Sequence, residues 1–245
     1  MKNIGKKFGT LALIVVMLTG TALATYTDQA QIQYPQAVEI VTELGIFQGK
    51  EDSSFDPAAA VTRGEMCTIL SSILNGGKLP ALEERVSFSY TDTGNHWARY
   101  YIEYCNTLGI VNGRGDGTFD PDGGVTGREA AKMLLVTAGY DVEKSGFTGA
   151  DWATSVDELA EAQGLYTGLP QDCQKRSLTR DETAQMVYNA LSVEMVAFWD
   201  RVVGPDGDWE PEVVQLDTPR ALGMTLLENF FQMDLNNGTL TPIES

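Results

Sequence analysis

Apolar residues follow three- and four-residue spacing over several short stretches of the chain. One stretch carries them at Ala98, Tyr101, Ile102, Cys105 and Leu108, which predicts a helix with one buried face. A glycine follows this stretch and two equivalent ones, where a left-handed conformation would end the helix, at Gly45, Gly109 and Gly164. A loop rich in glycine and aspartate comes next and leads into a second apolar stretch, as at residues 69–74 and 133–138. The pattern predicts a unit of helix, loop and helix.

The second helix of each unit opens with the tetrad Thr-x-x-Glu, at residues 62–65, 126–129 and 179–182. This tetrad before an apolar run is typical of a capping box. The threonine oxygen accepts from the amide of the glutamate, and the glutamate carboxylate accepts from the amide of the threonine. The predicted role of Glu65, Glu129 and Glu182 is therefore first to cap helices.

The three units are copies of one repeat, because they align with each other along most of their length. Tyr26-Thr27-Asp28 falls on Tyr90-Thr91-Asp92 at an offset of 64 residues, and Trp97-Ala98 falls on Trp152-Ala153 at an offset of 55. Such a unit has too little core to fold alone and must pack on its copies. The sequence predicts a mainly α protein in which three helix-loop-helix repeats close into a pseudo-threefold helical bundle. The predicted repeats span residues 25–80, 86–140 and 145–192.

The two ends of the chain differ from the repeats. Three lysines, an apolar run and Ala22-Leu23-Ala24 predict a secretory signal peptide over residues 1–24; a transmembrane anchor is the alternative, although the run is short for a span. Residues 193–245 are predicted to be an acidic connector and one amphipathic helix, on the apolar positions Leu222, Leu226, Leu227, Phe230, Phe231 and Met233.

Charge excludes several functions. The net charge is −17, and loss of the signal peptide makes the chain more negative still. An acidic chain gains nothing from counterion release on nucleic acid and is repelled by anionic lipid, so we expect neither partner, and no membrane span after signal cleavage.

No catalytic or metal-binding set of residues stands out, and we expect no enzyme activity and no cofactor. His96 is the only histidine, which leaves neither a multi-histidine zinc site nor a serine triad. The loop at residues 112–123 resembles a calcium loop but has Gly123 where a bidentate glutamate is required. Three cysteines in a secreted chain suggest a disulfide, but Cys67 and Cys105 align with apolar helix positions, which favours buried thiols.

The repeated pattern of aromatic-x-Asp, Trp-Ala, Gly-Ile-x-x-Gly, Phe-x-Pro and Thr-Arg-x-Glu resembles the S-layer homology family, from about Tyr26 to Leu191. The resemblance implies three tandem motifs forming a helical domain with grooves between them. It also implies a secreted protein at the cell wall or cell surface of a Gram-positive bacterium, where it binds a pyruvylated secondary cell wall polysaccharide.

In that family the arginine of the tetrad recognises the ketal carboxylate of the polysaccharide. Arg63 and Arg180 match this position directly. In the second tetrad Gly127 replaces the arginine and Arg128 follows it, which turns the side chain by about 100° around the helix. The remaining residues predicted to bind the ligand are Trp97, Trp152, Glu65, Glu129, Glu182, Asp28, Asp92, Gly49, Gly113 and Gly168.

Each of these residues also has a purely structural interpretation. The arginines could be solvated helix-start residues, the tryptophans could belong to the core, and the glycines could serve only as turn positions. The repeats depart from each other too, since Gln33 replaces the tryptophan in the first and Gly149 replaces the aspartate in the third. We therefore expect unequal grooves.

The sequence leaves two classes of function open. The first is a wall-binding anchor. The alternative is a structural, self-assembling surface-layer protein, or an adaptor whose C-terminal helix binds a protein partner.

Overall fold

The computed structural model describes residues 26–80, 87–202 and 212–243. The predicted signal peptide lies outside these residues. The α-helices are α1 (Pro35–Glu43), α2 (Arg63–Leu74), α3 (Arg99–Thr107), α4 (Gly127–Thr137), α5 (Trp152–Ala162), α6 (Arg180–Ala190) and α7 (Leu226–Phe231), with short 3-10 helices at Gln29–Gln31 and Cys173–Lys175. The strands are β1 (Glu194–Val202), β2 (Glu212–Thr225), β3 (Met233–Asn236) and β4 (Thr239–Pro242). The predicted helical content is confirmed.

Each repeat supplies two of the helices, in the order that the sequence predicts. Helices α1, α3 and α5 end at glycines with positive φ, between 71° and 74° at Gly45, Gly109 and Gly164. Helices α2, α4 and α6 all begin with complete capping boxes, in which Thr62, Thr126 and Thr179 exchange hydrogen bonds with the glutamate three residues on. The capping prediction is confirmed at all three tetrads.

The segments just before α2, α4 and α6 pair with one another. Single antiparallel bridges join each repeat to the other two, at Ala60 with Thr179, Thr62 with Gly124, and Thr126 with Ser177. Apolar side chains from all three repeats form one buried cluster around these segments. The starts of the three second helices, where the tetrads lie, are thus fixed relative to each other.

The prediction of a helix across residues 222–233 is wrong in extent. Leu222 and Met224 lie in β2 and are 43% and 40% exposed, and α7 covers only six residues. Strands β1 and β2 form one antiparallel hairpin, and β3 and β4 form another. The sequence of β1 is rich in valine and aromatic residues, which favours strand once a partner is present.

The short helix α7 packs into the body of the protein. Leu226 and Leu227 are buried, and the amide of Leu227 donates to the carbonyl of Leu191 at 3.0 Å. Phe231 lies close to Gly77, at the end of the first repeat. The buried side of α7 thus faces the protein, and a protein partner for this helix stays a prediction.

The three cysteines are free and buried, as the aligned positions of Cys67 and Cys105 predict. Within the described ranges, no helix is both long and apolar enough to cross a membrane.

Candidate functional site

Arg63 projects from the start of α2 in the first repeat onto the loop of the second. Its Nε donates to the carbonyl of Phe119 at 2.9 Å and its Nη2 to the carbonyl of Asn112 at 2.8 Å. The guanidinium carbon lies 4.3 Å from the centre of the Phe119 ring. Burial, together with nearby Arg114, lowers the pKa of Arg63. The side chain joins two repeats while Nη1 faces Glu129, 3.7 Å away.

Arg180 makes the same contacts from the third repeat onto the loop of the first. Its Nε donates to the carbonyl of Phe55 at 2.8 Å and its Nη2 to the carbonyl of Gln48 at 3.1 Å. The guanidinium carbon of Arg180 lies 4.9 Å from the centre of the Phe55 ring. Each arginine has five N–H donors, and these carbonyls take one at Nε and one at Nη2. Among the described residues, no further hydrogen bond engages the remaining donors.

A groove of about 380 Å³ lies beside Arg63, and we call it the Arg63 groove. It collects residues from all three repeats, since Arg63 comes from the first, Glu129 and Gly113 from the second, and Trp152 from the third. Four predicted site residues thus lie together. Its lining also includes Arg114 and Lys132, which the sequence analysis did not single out.

A second groove of about 200 Å³ lies beside Arg180, and we call it the Arg180 groove. Arg180 comes from the third repeat, Glu65 from the first and Trp97 from the second. The Arg63 groove takes its arginine, glutamate and tryptophan from repeats one, two and three, whereas the Arg180 groove takes them from repeats three, one and two. Ile46, Phe47 and Gln48 here occupy the places of Ile110, Val111 and Asn112 there.

The two tryptophans form walls of the grooves. Trp97 is 56% exposed, so it is not a core residue. Trp152 is half-buried and packs on the core. The amino nitrogen of Lys132 lies 5.5 Å from the centre of the Trp152 ring.

The third repeat boundary lacks an equivalent arginine. A Cβ at position 127 would overlap the carbonyl oxygen of Cys173, so no arginine side chain fits there. Arg128 turns away and pairs with Asp157, which it contacts through Nε at 3.0 Å and through Nη2. The Tyr166 hydroxyl donates to the same carboxylate at 2.9 Å. The predicted Arg128 therefore lines neither groove.

Several polar groups at this boundary form hydrogen bonds with other protein groups. Arg176 donates to both carboxylate oxygens of Glu182, at 2.8 and 2.6 Å. The Tyr34 hydroxyl donates to the carbonyl of Gly168 at 3.2 Å. The backbone amide of Gln33, which stands in the place of the tryptophans, donates to Asp181 at 2.6 Å. The predicted site residues Glu182 and Gly168 thus accept hydrogen bonds from other side chains of the protein, and they line neither of the two grooves.

Asp28 and Asp92 hold loops and do not line either groove. Asp28 accepts from the amides of Phe55 and Asp56 at 2.8 and 2.7 Å, and Asp92 accepts likewise from Phe119 and Asp120. Burial raises the pKa of each aspartate, but the two amide hydrogen bonds prevail and the pKa lies below its ordinary value. The two carboxylates thus hold Phe55 and Phe119 in place, and the carbonyls of these two residues accept hydrogen bonds from Arg180 and Arg63.

Gly49 and Gly113 are required by packing. A Cβ at Gly49 would lie 2.7 Å from the ring of Tyr26, and one at Gly113 would overlap the ring of Tyr90. Gly113 also lines the Arg63 groove, whereas Gly49 lines neither groove. As for metals, no group of three or more His, Cys, Asp or Glu residues in the described part of the chain could hold an ion.

Comparison with known proteins bears on the first two repeats. The family model of the S-layer homology domain matches residues 25–67 and 89–131, which fall within the first two repeats. The third repeat is outside these matches and stays a prediction from the sequence.

Three relatives are similar over different shares of the chain. A cell surface protein of Thermoanaerobacter kivui is 30% identical over 207 residues, covering 82% of this chain and 26% of that protein. The exoglucanase XynX of Acetivibrio thermocellus is 25% identical over 181 residues, covering 68% and 16%. A cellulosome-anchoring protein of the same species is 32% identical over 100 residues, covering 40% and 22%.

The chain thus spans about a quarter or less of the length of these relatives. Together with the family match, the relatives place it among secreted proteins attached to the cell surface.

Proposed function

We propose that this chain is a non-enzymatic anchor that holds an exported protein to a Gram-positive cell wall. It binds a secondary cell wall polysaccharide that carries pyruvate ketals, in the Arg63 groove and the Arg180 groove. The observation that carries the proposal is that Arg63 and Arg180 make the same contacts in two separate grooves. A planar guanidinium with free donors beside an aromatic wall fits a carboxylate on a sugar ring.

We infer that the three repeats close around a pseudo-threefold axis, which gives three boundaries, two of which bind ligand. The three pairwise bridges support closure, because each repeat touches both others. The third boundary lacks the arginine and the tryptophan at the equivalent positions. Its carbonyl of Gly168 and its carboxylates of Glu182 and Asp157 accept hydrogen bonds from Tyr34, Arg176 and Arg128, respectively.

The acidic net charge does not prevent anion binding in the grooves. The Debye length is about 10 Å at 0.1 M salt, so distant carboxylates are largely screened while a contact inside the groove is not. The relatives support an anchoring role over catalysis, because stretches similar to parts of this chain occur in a cell surface protein, an exoglucanase and a cellulosome-anchoring protein.

Co-sedimentation with purified cell walls of the source organism tests the proposal. The chain without residues 1–24 should sediment with intact walls and remain in solution with walls stripped of the secondary polymer. Replacing Arg63 and Arg180 together by lysine keeps the charge but removes the planar fork, and it should abolish sedimentation. Arg99→Lys, outside both grooves, is the matched control. Equal sedimentation with intact and stripped walls would refute the proposal.

A self-assembling surface-layer role is the second candidate, and the exposed Leu222 and Met224 on β2 favour it. Light scattering distinguishes it, since self-assembly requires particle mass to grow with protein concentration. A constant monomer mass, with or without calcium, would exclude it.

A further inference from the structure

The two grooves share one backbone frame but differ in charge. Residues at an offset of 64 occupy equivalent places, so Glu65 corresponds to Glu129, Thr68 to Lys132, and Lys50 to Arg114. Among the described residues, the Arg180 groove is lined by one cation and one carboxylate, Arg180 and Glu65. The Arg63 groove is lined by three cations and one carboxylate, Arg63, Arg114, Lys132 and Glu129.

Lys132 differs from the other cations of the Arg63 groove in its partners. Its amino group donates to the carbonyl of Phe147 at 2.8 Å, and within the described residues no carboxylate pairs with it. An ammonium group has three donors, so two remain. Burial lowers the pKa of Lys132, because the protein replaces part of the water around its charged form.

Arg114 and Lys50 increase the contrast between the grooves. Arg114 turns into its groove, where it donates to Glu129 at 3.1 Å and to Asp120 at 3.0 Å. Lys50 is instead 45% exposed, pairs with Asp56, and does not line the Arg180 groove. In the Arg63 groove, Arg114 thus takes up much of the charge of Glu129, which leaves Arg63 and Lys132 available to anions.

The Arg180 groove offers apolar surface instead. Thr68 stands in the place of Lys132, and Leu79 and Trp97 line the same groove with 41% and 56% of their surface exposed. A ligand here meets one guanidinium and an apolar wall.

We propose that the Arg63 groove contains a second anionic subsite at Lys132, so that the two grooves recognise different parts of an anionic saccharide. The Arg63 groove takes a segment with two negative groups, one at Arg63 and one at Lys132. The Arg180 groove takes a segment with a single negative group. The second group is a carboxylate or a phosphate, since both accept from an ammonium in the same way. This inference rests on the proposed function.

Titration calorimetry with three synthetic probes tests it. The first probe is the methyl glycoside of N-acetylmannosamine with a 4,6-pyruvate ketal, which carries one charge. The second adds a 3-phosphate and the third a 3-linked glucuronic acid. The Arg63 groove is measured in the Arg180→Lys background and the Arg180 groove in the Arg63→Lys background, so that each titration reports one groove.

We expect the Arg63 groove to bind one of the doubly charged probes about tenfold more tightly than the first, and the identity of that probe tells phosphate from carboxylate. Lys132→Met keeps the aliphatic stem and should abolish this preference, whereas the same change at exposed Lys175 should not. Thr68→Lys should create the preference in the Arg180 groove, which provides a test even where Lys132→Met unfolds the protein.

Two results have different meanings. If no probe binds the chain with intact Arg63 and Arg180, the proposed function itself fails. If the first probe binds but the preference is missing from the Arg63 groove, or survives Lys132→Met in a folded protein, the second subsite is refuted and the proposed function stands.

Discussion

Arg63 donates through Nε to the carbonyl of Phe119 at 2.9 Å and lies 4.3 Å above the ring of the same residue. One side chain of the first repeat thus binds both the backbone and the side chain of a residue in the second. The arginine is only 4% exposed. Its structural role and its proposed ligand role use different nitrogens, and a substitution that removes the whole group affects both.

Arg63→Ala should therefore destabilise the protein as well as weaken binding. The carbonyls of Phe119 and Asn112 would each lose a charged donor, and we expect a loss of about 2–4 kcal/mol in the free energy of unfolding. Arg99 lies over Tyr100 at 4.6 Å, and Arg99→Ala should cost less than about 1 kcal/mol. Urea unfolding compares the two variants. Equal losses would show that the two carbonyl contacts contribute little.

The capping boxes should contribute similar amounts in all three repeats. Thr62→Ala, Thr126→Ala and Thr179→Ala each remove the acceptor for the amide of a glutamate, and each should cost about 1 kcal/mol. Thr27 is exposed and Thr27→Ala is the control. Thermal unfolding of the four variants is the measurement, and an unchanged Tm for a capping variant would contradict the assignment at that helix.

Stability should fall in acid because of Glu182. Hydrogen bonds from Arg176 lower the pKa of Glu182 and outweigh burial, which raises it. A carboxyl whose pKa is lower in the folded state contributes its stability above its unfolded pKa, here 4.5, and loses it as pH falls through the folded value. Arg176→Gln should therefore flatten the acid limb of unfolding free energy against pH. Asp181 opposes the trend, since burial raises its pKa.

An identical acid limb in Arg176→Gln and in the unmodified chain would mean that the pair between Arg176 and Glu182 does not control acid stability. Asp28 and Asp92, whose pKa values are also lowered by backbone amides, would then be the groups to test.

Restoring an arginine to the second tetrad should not create a third binding groove. A side chain at position 127 meets the carbonyl of Cys173, and Gly127→Arg should lower the Tm by several degrees without adding a binding site. Arg128→Ala, which breaks the pair with Asp157, should leave polysaccharide affinity unchanged because Arg128 lines neither groove. Gain of a site in Gly127→Arg would show that the boundary can open.

The features predictable from the sequence are those that depend on near neighbours. A capping box is set within four residues, and a glycine that ends a helix is set by its own φ, so the tetrads and Gly45, Gly109 and Gly164 were assigned correctly. The hairpin of β1 and β2 was missed, because Leu222 lies four residues before Leu226 and fits a helical spacing equally well. Only the pairing of β2 with β1 favours a strand at Leu222.

The site was predictable only where position in the repeat determines it. Arg63 and Arg180 follow from alignment of the tetrads. Lys132 was missed because it meets Arg63 of the first repeat and Trp152 of the third in one groove only in the folded protein. Comparing Lys132 with the aligned Thr68 was the one signal in the sequence that pointed to it.

The number of polysaccharide fragments bound per chain is the most direct test of the central claim. Titration calorimetry with fragments of the purified wall polymer should give two sites for the unmodified chain. Arg63→Lys and Arg180→Lys should each leave one site, and Arg128→Lys should leave two. A single site, three sites, or two sites that persist in the Arg63→Lys and Arg180→Lys variants would contradict binding in these two grooves.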